Sequence, residues 1–463
     1  MEIMENNVLQ KLNSLQLDFT EITSIIEETE YITEKGKQLP PFTRIQLISK
    51  PSETSLIRHE LWLPKDWNGV FIGTGNGGIG GKIVYKVLEL GVWKGCAAIN
   101  TDMGSSNGRV RGVNDPEVWK DYGWRATYLM TKVGKQITEA FYGEKIKHAY
   151  FHGTSTGGQQ SLMVAQRYPT EYEGIVAGVP ANYRTHLHTY FLWCWNKMRG
   201  KEGELLFSVE DFPLITEKAY EFCAEKGKIE KGQKYIPNPN FTKEFIREFV
   251  DYLGQNLGFN EEQKNALYDI YVGPRDPKTG EKIYCGMPMG SECNGNNAMH
   301  RMLESESPYF YPFLWVFGGD YNGRNFDFSD DMRTIDKVLA EDLNANNDDL
   351  SAFFNNGGKL FMYSGSADPT VPCQGGMDYF ARVSIRCGQK KTYEHMRYFL
   401  IPGHGHGANV CGYGRSKMNE SIVIRDNIDV IRKWCEEGIA PECFDVITPN
   451  GDEKAIETIY AFE

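Results

Sequence analysis

Short apolar runs of strand length recur along the first part of the chain, separated by glycine-rich turns and stretches of helical period. Between residues 40 and 183 they are TRIQLIS (43–49), IRHELWL (57–63), GVFIG (69–73), CAAINTD (96–102), KHAYFH (147–152) and GIVAGV (174–179). Strands that alternate with helices predict a mostly parallel sheet covered on both faces. From 184 to 350 the rhythm is lost. Trp, Tyr, Phe and Asn become frequent, LITEKAYEFCAEKG and KEFIREFVDYLGQNLG have the spacing of amphipathic helices, and turn-dense links such as VGPRDPKTGEK intervene. From 351 the strands resume in GGKLFMYSGSADP and MRYFLIPGHGHG, and the helix NIDVIRKWCEEG is expected to close the domain. The pattern predicts one α/β domain built from residues 1–183 and 351–463, interrupted by a lid of residues 184–350.

Composition narrows the partners. Apolar residues at 41% and charged ones at 24% are ordinary for a folded chain, so disorder is not expected. Acidic residues exceed basic ones by 62 to 50, and the resulting charge of −12 repels a phosphate backbone, so no nucleic acid partner is expected. No apolar run approaches the roughly 20 residues that cross a bilayer. The N-terminus MEIMENNVLQKLNSLQLDF carries early glutamates and lacks a cationic start before an apolar core. It does not read as a secretion signal, which makes a cytoplasmic location the expectation. The 10 cysteines contain no CxxC pair, so metal-finger spacing is absent and reduced, mostly buried thiols are expected. Cys285 and Cys293 are close enough in sequence to leave one bridge open.

The pattern G-x-S-x-G, which places a serine on a tight turn between strand and helix, occurs twice. Gly153-Thr-Ser-Thr-Gly157 follows the apolar run ending at Phe151 and precedes GQQSLMVAQRYP, an apolar helix stopped by Pro169. Gly104-Ser-Ser-Asn-Gly108 instead runs into RVRGVNDPE, whose Gly, Asn, Asp and Pro break any helix. Ser155 is therefore the candidate nucleophile, and Ser106 reads as a loop serine. A strand–turn–helix nucleophile on such a sheet predicts an α/β-hydrolase core and a serine esterase.

A serine hydroxyl needs an imidazole to take its proton and a carboxylate to orient that imidazole, and in this fold the chain order is Ser, acid, His. Asp368 follows LFMYSGSA, at the carboxyl end of an expected central strand. His395 precedes the next strand and would sit at its wrong end. His404 and His406 both occupy the glycine-rich loop after it, and spacing does not choose between them; the other is left as a loop or substrate-contact histidine. For the oxyanion of the tetrahedral intermediate, the amide of Thr156 is one expected donor, and Gly77 or Gly78 in the loop Gly73–Gly78 supplies the other. A phosphate-cradling loop is the rival reading of these glycines, but no GK[ST] follows them. No cofactor is implied.

These segments resemble the tannase and feruloyl esterase family of α/β-hydrolases. The likeness runs through LPKDWNGVFIGTGNGGIGG, AAINTDMG, DYGWRATYLMTKVGKQITEAFYG, YFHGTSTGGQQSLMVAQRYPTEYEGIVAGVPA, IYVGPRDPKTGEKIYCGMPMGSE, DLSAFFNNGGKLFMYSGSADPTVP and IPGHGHG. It implies a serine carboxylesterase whose triad falls on Ser155, Asp368 and His406, since the family's PGxGH pattern aligns with Pro402–His406. It also implies a lid that binds the aromatic acid of a small-molecule ester, with Trp193, Trp195, Tyr309, Tyr311 and Trp315 as candidates to sandwich the ring. Gallate and ferulate esters are the expected substrate type. Two departures stand out. Many members bridge a cysteine before the serine to one after the histidine, where this chain has Thr154 and Gly407. Many carry an Asp-rich calcium loop, where this chain has Cys223-Ala-Glu-Lys-Gly-Lys-Ile-Glu-Lys231, so no metal is expected there. The alternatives are a hydrolase of aryl or short alkyl esters and a non-catalytic binding protein on the same scaffold.

Overall fold

The computed structural model describes residues 11–462 except 13, 107, 294–302, 304–309, 407–411, 416–420 and 425–426. Residues 1–10 of the N-terminal segment, Tyr309, Gly407 and Cys411 lie outside the described residues.

All eight expected runs form strands. With one more at the start of the chain they make a nine-stranded sheet: β1 (Thr20–Glu28), β2 (Phe42–Ser49), β3 (Ile57–Pro64), β4 (Val70–Thr74), β5 (Ala97–Thr101), β6 (His148–Thr154), β7 (Gly174–Gly178), β8 (Lys359–Gly365) and β9 (Met396–Ile401). Their order is β1-β2-β3-β5-β4-β6-β7-β8-β9. The six strands from β5 to β9 are parallel, and β1, β2 and β3 extend the sheet antiparallel at one edge. The parallel strands are mostly apolar and almost wholly buried because both faces are covered. Phe71, Phe151, Ile175 and Met362 face one buried cluster with the helices Ala126–Tyr142 and Thr156–Arg167. Their neighbours Ile72, Tyr150, Val176, Phe361 and Tyr363 face another with the helix Asn427–Glu437.

That last helix does not close the domain, contrary to expectation. A second, antiparallel sheet is present, in the order β11-β10-β12-β13, with β10 (Gly412–Arg415), β11 (Ser421–Ile424), β12 (Cys443–Asn450) and β13 (Glu453–Tyr460). Asn450-Gly451 at the β12–β13 turn, with Gly451 at φ 66°, is a hairpin signal. Phe444, Val446 and Ile459 pack into the β4–β9 side of the core.

Between Gly178 and Lys359 the described residues form helices and loops around an apolar cluster of their own. Both amphipathic stretches read from the sequence are helical, as Asp211–Glu225 and Lys243–Leu257. Thr242 caps the second by accepting from the Phe245 amide (3.3 Å), and Asn260 and Gln263 form a reciprocal capping box on the next helix. Cys285 and Cys293 are both free, the first buried and the second exposed, so the bridge left open by their spacing is not made. No helix among the described residues is long and apolar enough to cross a membrane.

Candidate active site

Parallel pairing aligns the carboxyl ends of neighbouring strands: Thr154 pairs with Gly178, Gly178 with Tyr363, and Gly365 with Ile401. The loops after β4, β6, β8 and β9 therefore leave one edge of the sheet together, and these loops carry the glycine stretch, Ser155, Asp368 and His406.

Ser155 stands between β6 and the helix Thr156–Arg167, at φ 61° and ψ −117°. Such a conformation costs a side chain-bearing residue of order 1–3 kcal/mol and persists only where its surroundings hold it. Here its amide donates to the Gly178 carbonyl (2.9 Å), and its own carbonyl accepts from the amides of Gln159 (3.0 Å) and Ala181 (3.1 Å). The flanking glycines are required by close backbone approach. A Cβ at 153 would lie 2.1 Å from the Gly157 carbonyl oxygen, and one at 75 would lie 2.4 Å from the Gly157 Cα.

His406 joins the other two groups. Its Nδ1 is 2.9 Å from Asp368 Oδ2 and its Nε2 is 2.9 Å from Ser155 Oγ. Asp368 is fully buried, and its Oδ1 accepts from the amides of Thr370 (2.8 Å) and Val371 (3.0 Å). A carboxylate only accepts, so Nδ1 carries the hydrogen and Nε2 offers its lone pair to the serine hydroxyl. Burial opposes a charge on His406, but the adjacent Asp368 carboxylate and its hydrogen bond outweigh it. The imidazole pKa is raised above the ordinary 6.5. Tyr190, on the helix Arg184–Lys197, steadies the acid's turn by donating to the Pro369 carbonyl (2.8 Å).

The glycine loop lies against the start of the serine helix. Asn76 accepts from the Gly157 amide (2.7 Å), donates its own amide to Gln160 Oε1 (2.8 Å), and sends its side-chain amide to Thr101 O (2.8 Å) and Lys82 O (3.0 Å). The Gly78 carbonyl, in a left-handed residue (φ 59°), accepts from Thr156 Oγ1 (2.6 Å) and the Tyr122 hydroxyl (3.1 Å). A side chain at 77 or 78 would meet nothing within 4 Å, so these two glycines border open space. The second G-x-S-x-G is a loop that braces this one: Ser105 Oγ donates to Ile79 O (2.7 Å) and the Gly81 amide to Asp102 O (2.9 Å).

Sequence reasoning named Tyr311 as a candidate ring contact but missed its pairing with Tyr122 behind the glycine loop. Tyr122 sits in a π-helical turn, Asp121–Arg125, and its hydroxyl is 2.7 Å from that of Tyr311. Arg184 lies over the Tyr122 ring at 5.7 Å, and the His188 ring meets Tyr311 edge-on at 4.8 Å. No local spacing signals a contact between residues so far apart in the chain.

Of the tryptophans expected to sandwich a substrate ring, Trp195 and Trp315 are buried and Trp193 is half-buried. Trp315 is fully buried against Tyr122 and Tyr311, leaving no accessible face. Trp195 is buried under Arg199 and Phe310. Trp193 donates to Asp269 O (2.9 Å) with Lys197 over its ring. His404, the other histidine of the loop, has its Nε2 2.8 Å from the Ile447 carbonyl in β12. His395 ends the helix Gln389–His395 just before β9, bonded to Gly358 O. In the lysine-rich stretch 223–231, Lys226 pairs with Glu248. Among the described residues no group of three His, Cys, Asp or Glu is placed to hold a metal ion.

The sequence model described as tannase and feruloyl esterase matches residues 44–461. A probable feruloyl esterase B-1 of Aspergillus terreus is 29% identical over 418 residues, spanning 86% of this chain and 78% of that protein. An uncharacterized esterase of Xanthomonas campestris is 28% identical over 448 residues, spanning 87% and 77%. Among solved structures, feruloyl esterase B from Aspergillus oryzae superposes with a TM-score of 0.83 at 21% identity, covering 99% of this chain and 96% of that one. Tannin acyl hydrolase from Aspergillus niger gives 0.75 at 18%, covering 98% and 91%. At such identities the two structures speak for the fold.

Proposed function

Because the chain belongs to the tannase and feruloyl esterase family and is a carboxylic ester hydrolase, we propose that Ser155, His406 and Asp368 cleave esters of hydroxybenzoic or hydroxycinnamic acids by two-step acyl transfer. Ser155 Oγ attacks the ester carbonyl as its proton passes to His406 Nε2. The oxyanion is held by the amides of Thr156 and of Gly77 or Gly78. The tetrahedral intermediate collapses, His406 returns the proton to the departing alkoxide, and the acyl group stays on Ser155. Water, deprotonated by the same nitrogen, then releases the acid. Asp368 keeps the imidazole in the tautomer that presents a lone pair to the serine.

The observation that carries this reading is the single imidazole bonded at 2.9 Å to both Asp368 and Ser155. The strained backbone at Ser155 supports it further. The helical insert, residues 184–350, is the part we assign to acyl selection as a lid, since Ala181 at its root is bonded to the nucleophile's carbonyl. Relatives named feruloyl esterase support an aromatic acyl group. The test is a panel of methyl ferulate, methyl gallate, methyl acetate and methyl butyrate. An aromatic-acyl ester is expected to be favoured in kcat/KM by about tenfold or more, the scale on which a shaped apolar pocket discriminates. Preference for acetate or butyrate would contradict the substrate class while leaving the hydrolase standing.

A further inference from the structure

The loop that carries His406 is held from three sides. On the first, the turn after β8 binds it directly: the Ser366 amide donates to Ile401 O (3.0 Å) and the Ala367 amide to His404 O (3.0 Å). This is the turn that carries Asp368. On the second, the insert reaches the loop through one buried hydroxyl. Ser366 Oγ accepts from the Gly403 amide (2.8 Å) and donates to the carbonyl of Ile236 (2.7 Å), so one atom ties the histidine loop to the insert. The fit is tight, since a Cβ at Gly403 would lie 2.8 Å from the Tyr235 Cβ. On the third side stands the β12–β13 hairpin, which receives the His404 imidazole on Ile447 O (2.8 Å). The hairpin and insert are joined to each other, by the Lys234 amide on Asn450 Oδ1 (2.7 Å) and the Tyr235 hydroxyl on Glu457.

A carbonyl only accepts, so His404 donates from Nε2, and Ser366 uses both its hydrogen and a lone pair. Neither side chain is bonded to Ser155 or Asp368 by these contacts; each acts on the backbone that aims His406. From this geometry we infer that Ser366 and His404 are positioning residues which lock the catalytic-base loop to the helical insert and the C-terminal hairpin. Movement of the insert segment 234–237 is thereby transmitted to the base. The inference rests on the esterase reading for its kinetic consequence, but not for its geometry.

The experiment uses the full chain with Ser366→Ala, His404→Leu and His404→Gln, each checked for folding by circular dichroism. Two readouts are taken: kcat and KM on the best ester of the panel, and the downfield proton resonance of the His406–Asp368 hydrogen bond. Misplacing a catalytic group by about 1 Å costs on the order of 100-fold. Ser366→Ala and His404→Leu are therefore expected to lower kcat by roughly 10- to 100-fold with KM held within about twofold. They should also broaden or shift the downfield resonance. His404→Gln, whose amide reaches as Nε2 does, should return most of the rate and the resonance. A folded His404→Leu protein with wild-type kcat and an unchanged resonance overturns the inference, as does a loss carried by KM alone. If wild type cleaves no ester, the esterase reading fails by itself, and the resonance decides the lock by the same criterion.

Discussion

At the scale of single residues, the raised pKa of His406 makes the central chemistry readable by titration. The base works only when neutral, so kcat/KM should fall as pH drops through a value above the ordinary 6.5 of imidazole. A rate unchanged down to pH 5 would contradict His406 as base. The same shift has the opposite sign for stability. A group whose folded pKa is raised contributes stability in full below about 6.5, and that contribution is lost as pH rises through the folded value. The pair is thus most stabilising where it is least active. Ser155 and Asp368 were legible in the sequence because each lies within three residues of the carboxyl end of an apolar strand. His406 and His404 were not separable by spacing, since what divides them is a contact with Ile447 on a distant hairpin. The tryptophans are ambiguous for a related reason: a large ring reads the same in a one-dimensional pattern whether it lines a pocket or is buried, as Trp315 is.

At the scale of elements, the site depends on three loops touching backbone to backbone. Gly75→Ala should show this. Its Cβ would fall 2.4 Å from the Gly157 Cα and 3.2 Å from the Gly153 Cα, and neither is the end of a flexible side chain. The glycine loop or the serine turn must shift, so we expect a loss of about 1–3 kcal/mol in stability, typical of overpacking, together with a drop in kcat. Urea denaturation and ester kinetics check both; an unchanged enzyme would mean that the close approach is not required. Strands covered on both faces were easy to read because they are predominantly apolar. β1, β12 and β13 were not read because they are half-exposed and polar, with Ile447 and Ile456 turned to solvent and glutamates along β1. Charge on an edge strand blunts pairing with other chains, and it also hides the strand from a search for apolar runs.

At the scale of the whole molecule, the C-terminal sheet is part of the core rather than an appendage. Phe444 is fully buried, 4.8 Å from Phe399 and 6.0 Å from Phe361, both on strands of the nine-stranded sheet. Phe444→Ala should therefore cost about 3–5 kcal/mol, the usual range for emptying a buried aromatic site. Unfolding followed by fluorescence and by activity should shift together; an early transition confined to the hairpin would show that it melts independently. Every layer of the fold converges on one strained serine at the end of β6. Labelling with a fluorophosphonate followed by peptide mapping tests that claim most directly. Wild type is expected to take up one equivalent on Ser155 and Ser155→Ala none; a wild-type protein that resists the reagent, or an alanine variant that labels as well, would contradict it.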